Sequence, residues 1–329
     1  MQGHIEVVRL LLEAGADKNL AGKNGWTALM VASSQGHVEV LQLLLEAGAD
    51  KNSAGNNGVT ALMMASVQGH VDVVRLLLEA GADKSVAGTN GVTALTMASD
   101  QGNVEVARLL LEAGADINLG SNVGLTALMT ASGQGRVEVV RFLLEAGADK
   151  NLASHNGSTA LMLASLQGHV EAVQLLVEAR ANTNLPDNHG LTALTMASGQ
   201  GLVAVVRLLL EAGVDKDLVS NNGFTALMFA CGSSQAEVVR VLLEARADTS
   251  VADNNGFTAL SIASGQGNLE VARLLLEAGA QDPAGSKHFI ALTLRKVILK
   301  SCFYCRSLWG ECSKPIASMC SPPRDANIH

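Results

Sequence analysis

The frame Gly-x-Thr-Ala-Leu begins at Gly25, Gly58, Gly91, Gly124, Gly157, Gly190, Gly223 and Gly256, and every interval is 33 residues. A chain whose letters return at a fixed period without a slip folds as copies of one supersecondary unit. Each copy carries a short apolar run such as TALMMASVQ, a second such as VDVVRLLLEAG, and a polar stretch such as ADKSVAGTN. That order reads as helix, turn, helix and extended loop.

The Thr of the frame (Thr27, Thr60, Thr93 and their equivalents) is placed to cap the first helix with its hydroxyl. Gly36, Gly69, Gly102, Gly135, Gly168, Gly201 and Gly267 are placed to stop it, because glycine takes the left-handed conformation of a tight turn; Ser234 breaks that series once. The second helix sets Val38, Leu41, Leu44 and Leu45 on an apolar face, Glu39 and Glu46 outside it, and an end near Gly48. One such pair cannot bury its apolar face alone, so the units must stack on one another as an all-α solenoid. Composition agrees: 329 residues are 48% hydrophobic but only 3% aromatic, so Leu, Val, Ala and Met fill the interior.

These residues resemble the ankyrin repeat family, whose unit has about 33 residues, two antiparallel helices and a protruding hairpin. The resemblance covers eight full units over residues 22–285, preceded by a partial repeat at 1–21 and followed by a divergent tail at 286–329. It implies a non-enzymatic scaffold or adaptor that holds a protein or peptide on its concave surface, acting as a monomer in the cytoplasm or also in the nucleus. The alternative is the regulatory ankyrin portion of a larger enzyme, ubiquitin-ligase adaptor or channel whose effector lies outside this sequence. At a spacing of about 10 Å per unit, eight units would extend roughly 80 Å.

The chain also departs from the family pattern. The family's Thr-Pro-Leu-His becomes Thr-Ala-Leu followed by Met30, Met63, Thr96, Met129, Met162, Thr195, Met228 or Ser261. Loss of the His link should weaken each unit by about 1 kcal/mol unless Met packing compensates, and Ala in place of Pro gives up preset backbone geometry. The family's hairpin Asp remains as Asp187 and Asp253. Arg180 and Arg246 stand where the other copies have the Gly that ends the second helix, which predicts different helix ends in those two units.

Both termini are anomalous. The opening MQGHIEVVRLLLEAG aligns with VQGHVDVVRLLLEAG, so the first helix of that unit is missing and apolar surface is expected to lie bare, as in a piece of a longer array. From Gln281 onward there are 7 Lys and Arg against 3 Asp and Glu, and that segment holds four of the five cysteines.

Several function classes are excluded by the letters. The net charge of -8 opposes binding to nucleic acid, which needs a dense basic face. No leader of basic then apolar residues and no apolar run long enough to span a bilayer is present, so no membrane insertion is expected. Cys302, Cys305, Cys312 and Cys320 are spaced C-x2-C-x6-C-x7-C near His288 and His329, but the second short pair of a zinc ribbon is absent and no metal is expected there. His4, His37, His70 and His169 fill one slot after the turn Gly, and equivalence across copies marks a structural contact rather than a catalytic one. Asp72 with Arg75, Glu105 with Arg108, and Glu237 with Arg240 are spaced as solvated i, i+3 pairs. No catalytic residue and no cofactor is expected.

The letters that vary after the frame Gly carry specific function. They are Trp26, Val59, Val92, Leu125, Ser158, Leu191, Phe224 and Phe257, apolar in seven of eight copies. In the ankyrin family this position lies near the hairpin base on the concave side, so the apolar seven form the expected recognition strip, with anchors at Trp26, Phe224 and Phe257.

Overall fold

The computed structural model describes residues 4–281. Those residues form 17 α-helices and no strand; two isolated antiparallel bridges join Ala54 to Thr60 and Ala252 to Thr258. The first helices of the eight units are α2 (Ala28–Gln35), α4 (Ala61–Gln68), α6 (Ala94–Gln101), α8 (Ala127–Gly133), α10 (Ala160–Gln167), α12 (Ala193–Gln200), α14 (Ala226–Gly232) and α16 (Ala259–Gly265). The second helices are α3 (Val38–Glu46), α5 (Val71–Glu79), α7 (Val104–Glu112), α9 (Val137–Glu145), α11 (Val170–Glu178), α13 (Val203–Glu211), α15 (Ala236–Glu244) and α17 (Leu269–Glu277). Ahead of them α1 (Ile5–Glu13) aligns with the second helix of a copy. The tail cysteines, His288, His329 and a partial cap expected at 289–299 lie outside the described residues.

The contacts divide the chain into two compact units, one running to Ala131 and including Arg136–Asp149, the other comprising Ser132–Gly135 and the chain from Lys150. Within the first, α2 packs on α3 and α4, and α4 on α5 and α6. The second repeats the scheme: α10, α12, α14 and α16 stack in sequence, each against its own second helix.

The local signals act as their chemistry demands. Thr60 is extended at φ -98°, and its hydroxyl accepts the Met63 amide at 3.4 Å. Gly69 closes the same helix at φ +76°. The residues that replace the family's His are accommodated in two ways. Met30, Met63, Met129, Met162 and Met228 are buried in the core, where a flexible thioether fills the space. Thr195 and Ser261 instead turn their hydroxyls back to the Thr192 and Thr258 amides at 2.8 and 2.7 Å, completing reciprocal capping boxes.

Two expectations need correction. In α3 the inward residues are Val40, Leu41 and Leu44, whereas Val38 and Leu45 are only half-buried. Arg180 and Arg246 do not give different helix ends: both adopt φ +60°, the left-handed turn that glycine makes in the other copies, and Ser234 does the same at φ +59°. Within the second unit α13 stacks on α11, and α13 and α17 on α15, so packing fixes the chain's path and the side chain tolerates it at a cost of about 1 kcal/mol each.

Polar bonds at fixed offsets tie each unit to the next. Asp50 and Asp83 donate their amides to the Asn19 and Asn52 carboxamide oxygens at 2.8 and 2.9 Å, 31 residues back. His70 Nε2 donates to the Ser34 carbonyl at 3.2 Å, 36 residues back, and His169 to that of Gly133 at 3.1 Å. Asn103 and Arg136 make the same bond, to Ser66 at 2.9 Å and Asp100 at 2.8 Å. The slot accepts donors of different chemistry but does not require one, since Leu202 fills it in the α12 and α13 copy. On the outer helices Glu105–Arg108 and Glu237–Arg240 pair at 3.5 and 3.3 Å. Ala204 stands where an acid would face Arg207, which bridges instead to Glu237 and Glu244 of the next unit, each at 3.6 Å.

Candidate binding surface

Each hairpin is held by two backbone bonds. In the second copy the Gly55 amide donates to the Val59 carbonyl at 3.0 Å and the Gly58 amide to the Gly55 carbonyl at 2.8 Å. Gly58 is required twice over: its φ is +74°, and a Cβ there would come within 2.9 Å of the Thr89 amide of the next hairpin. Neighbouring hairpins are that close because they bond to each other. Thr89 donates its amide to the Asn57 carbonyl at 3.0 Å, and the Asn122 carboxamide donates to the Thr89 carbonyl at 2.8 Å. In the second unit Asn188, Asn221 and Asn254 donate to the carbonyls of His155, Asn188 and Asn221 at 2.9 to 3.0 Å.

The amides of Trp26, Val59, Leu125, Leu191, Phe224 and Phe257 are also held by side chains. Asp187 Oδ1 accepts from Leu191 and His189, and Asp253 Oδ1 from Phe257, all at 2.8 Å. Ser121 and Ser220 hydroxyls accept from Leu125 and Phe224 at 3.2 and 3.1 Å. Where the first position is glycine, Asn24 accepts from Trp26 at 3.1 Å. The strip therefore sits on a preset backbone, which lowers the ordering cost of binding. Burial pushes the Asp187 carboxyl above the ordinary carboxylate range, against the pull of its two amide donors. Asp50 is held below that range, first by the Asn52 amide, and Asp83 and Asp248 by the Ser85 and Ser250 hydroxyls and amides.

The strip is more interior than its letters suggest. Val59, Leu191 and Phe224 are only 3%, 8% and 4% exposed, and Phe224 meets the Phe229 ring of α14 at 5.5 Å between centroids. These three serve the core as they stand, and so does Ser158, which is also buried. Trp26, Val92, Leu125 and Phe257 are half-buried and keep surface toward solvent. Sequence reasoning missed a second set: Leu20, Leu119 and Val123 on the hairpin loops are 73%, 38% and 53% exposed. A signal for Val123 existed, since its slot holds Asn24, Asn57, Asn90, Asn156, His189, Asn222 or Asn255 in the other copies. Leu119, Val123 and Leu125 thus put three apolar side chains on one rigid hairpin.

Among the described residues no three His, Cys, Asp or Glu side chains come together as a metal site, and no helix is long and apolar enough to cross a membrane. Stacked helix pairs with mutually bonded hairpins define a repeat-built interaction module. The family model for ankyrin repeats matches residues 1–87, 84–154, 147–220 and 205–284, and the chain belongs to that family. No curated protein matches the chain closely enough to stand as a relative.

Proposed function

We propose that this protein is a non-enzymatic scaffold or adaptor that binds a protein or peptide along its hairpins. The observation that carries the reading is the hairpin at residues 119–125, where Leu119 and Val123 are exposed beside half-buried Leu125 on a hydrogen-bonded backbone. Exposed apolar side chains on a preorganised loop gain contact energy without paying for loop ordering. Trp26 and Val92 extend the surface in the first unit, and Phe257 supplies a separate contact in the second. Val59, Leu191 and Phe224 act from beneath, fixing the hairpins that present their neighbours. A cytoplasmic location and a monomeric state fit an acidic chain of this kind.

The test uses peptides selected from a displayed library against the immobilised full-length chain. Val123→Ser with Leu125→Ser, or Trp26→Ser, should weaken a selected peptide by about 2 kcal/mol or more while circular dichroism and melting stay unchanged. Phe224→Ser should instead lower the melting temperature, since it opens the core. Full retention of affinity in both surface variants would move the site to the helices.

A further inference from the structure

The left-handed position that ends each second helix is glycine in Gly48, Gly81, Gly114, Gly147, Gly213 and Gly279, and the one that ends each first helix is glycine in every full copy but one. Three residues with a Cβ occupy these positions: Arg180, Ser234 and Arg246, at φ +60°, +59° and +60°. Ser234 and Arg246 fall in the same copy, that of α14 and α15. The copy before it, α12 and α13, has Gly201 and Gly213 at φ +76° and +77° and carries no such strain. Helix α14 has seven residues, as do α8 and α16, and its C-cap is Ser233, with the left-handed turn following at Ser234.

In a stacked array each copy is stabilised by its neighbours. Among the described residues α16 and α17 stack on α14 and α15. Opening α16 and α17 alone would leave both strained residues in place and uncover the inner face of α14. Opening both copies together releases the strain at Ser234 and Arg246, each worth about 5-fold in the opening equilibrium and together about 25-fold. We propose that residues 223–281 open from the second unit as one cooperative segment, with the break between α13 and α14. The array then has a built-in seam, and its C-terminal described end yields two copies at a time.

Hydrogen exchange followed by mass spectrometry on the full chain tests this. Peptides from α14, α15, α16 and α17 should exchange with a common protection, lower than that of α12 and α13. Ser234→Gly and Arg246→Gly should each raise protection across all four helices by about 5-fold, and together by about 25-fold, leaving α12 and α13 unchanged. Arg180→Gly removes the same strain from a different copy and should leave α14 to α17 unaffected. Wild-type protection of α14 and α15 equal to that of α12 and α13 would overturn the proposal, as would glycine variants that leave α16 and α17 unaltered.

Discussion

Helix α1 reads IEVVRLLLE and α5 reads VDVVRLLLE, seven letters of nine in common, yet the two segments live in opposite surroundings. In α5, Val73 and Leu77 are 0% exposed; in α1 their counterparts Val7 and Leu11 are each 54% exposed, and no residue of α1 is buried. What differs is the neighbour. Helix α5 packs against α4 of its own copy and between α3 and α7, whereas the main packing partner of α1 among the elements described is α3. The amphipathic pattern says which face should be covered, and the stack decides whether it is.

That comparison predicts unequal costs for equal changes. Leu77→Ala should lower unfolding free energy by about 3 kcal/mol, because it empties a filled site, whereas Leu11→Ala should cost under about 0.5 kcal/mol. Urea midpoints measure both, and equal costs would break the account.

It can be sharpened by supplying the neighbour. Placing a copy of the segment GVTALMMAS, read from residues 58–66, directly before Met1 restores the register of a first helix. Covering Val7 and Leu11 in this way should raise stability by about 1 to 3 kcal/mol after the ordering cost of the added residues. Leu11→Ala in the lengthened chain should then cost nearly as much as Leu77→Ala, and if it stays neutral the neighbour is not what matters.

A smaller effect concerns caps. Thr60 caps α4 through its side chain, while α1 has no side-chain cap. Thr60→Ala should cost about 1 kcal/mol, read from the same midpoints; His4→Ala should change nothing measurable.

The smallest effect is in the pH profile. Asp50, Asp83 and Asp248 have lowered folded-state values, so their contribution is present above the ordinary carboxylate range and is lost as pH falls through their folded values. Asp187 runs the other way: its raised value makes its contribution fullest at low pH and lost as pH rises through the folded value. Asp187→Asn keeps an oxygen to accept from His189 and Leu191 without a buried charge. It should therefore hold or slightly raise the melting temperature at pH 7 and gain nothing at pH 3.

Much of the fold was legible because backbone demands recur at fixed letters: Thr where a helix must be capped, Gly where φ must be positive, Leu where two helices meet. Arg180 and Arg246 misled because composition reports a residue's preference, whereas stacked neighbours impose the path. The strip was legible only in part. Val59, Leu191 and Phe224 read as surface letters, yet each is buried, and that depth depends on the spacing between copies, which no single copy encodes. The Asn slots were visible as repeated letters, but their bonds to the preceding copy became apparent only once the hairpins were stacked.

The bonds between copies join donors and acceptors 31, 33 and 36 residues apart. A single inserted or deleted residue within a copy would throw all three sets out of step at that junction, while a gain or loss of 33 residues would leave every one intact. Chain length is therefore quantised: a gene of this design can grow or shrink without penalty only by exchanging whole copies. Near-identical letters from copy to copy are what such unequal exchange would leave behind, and they hand recombination the matching segments it needs to do so again.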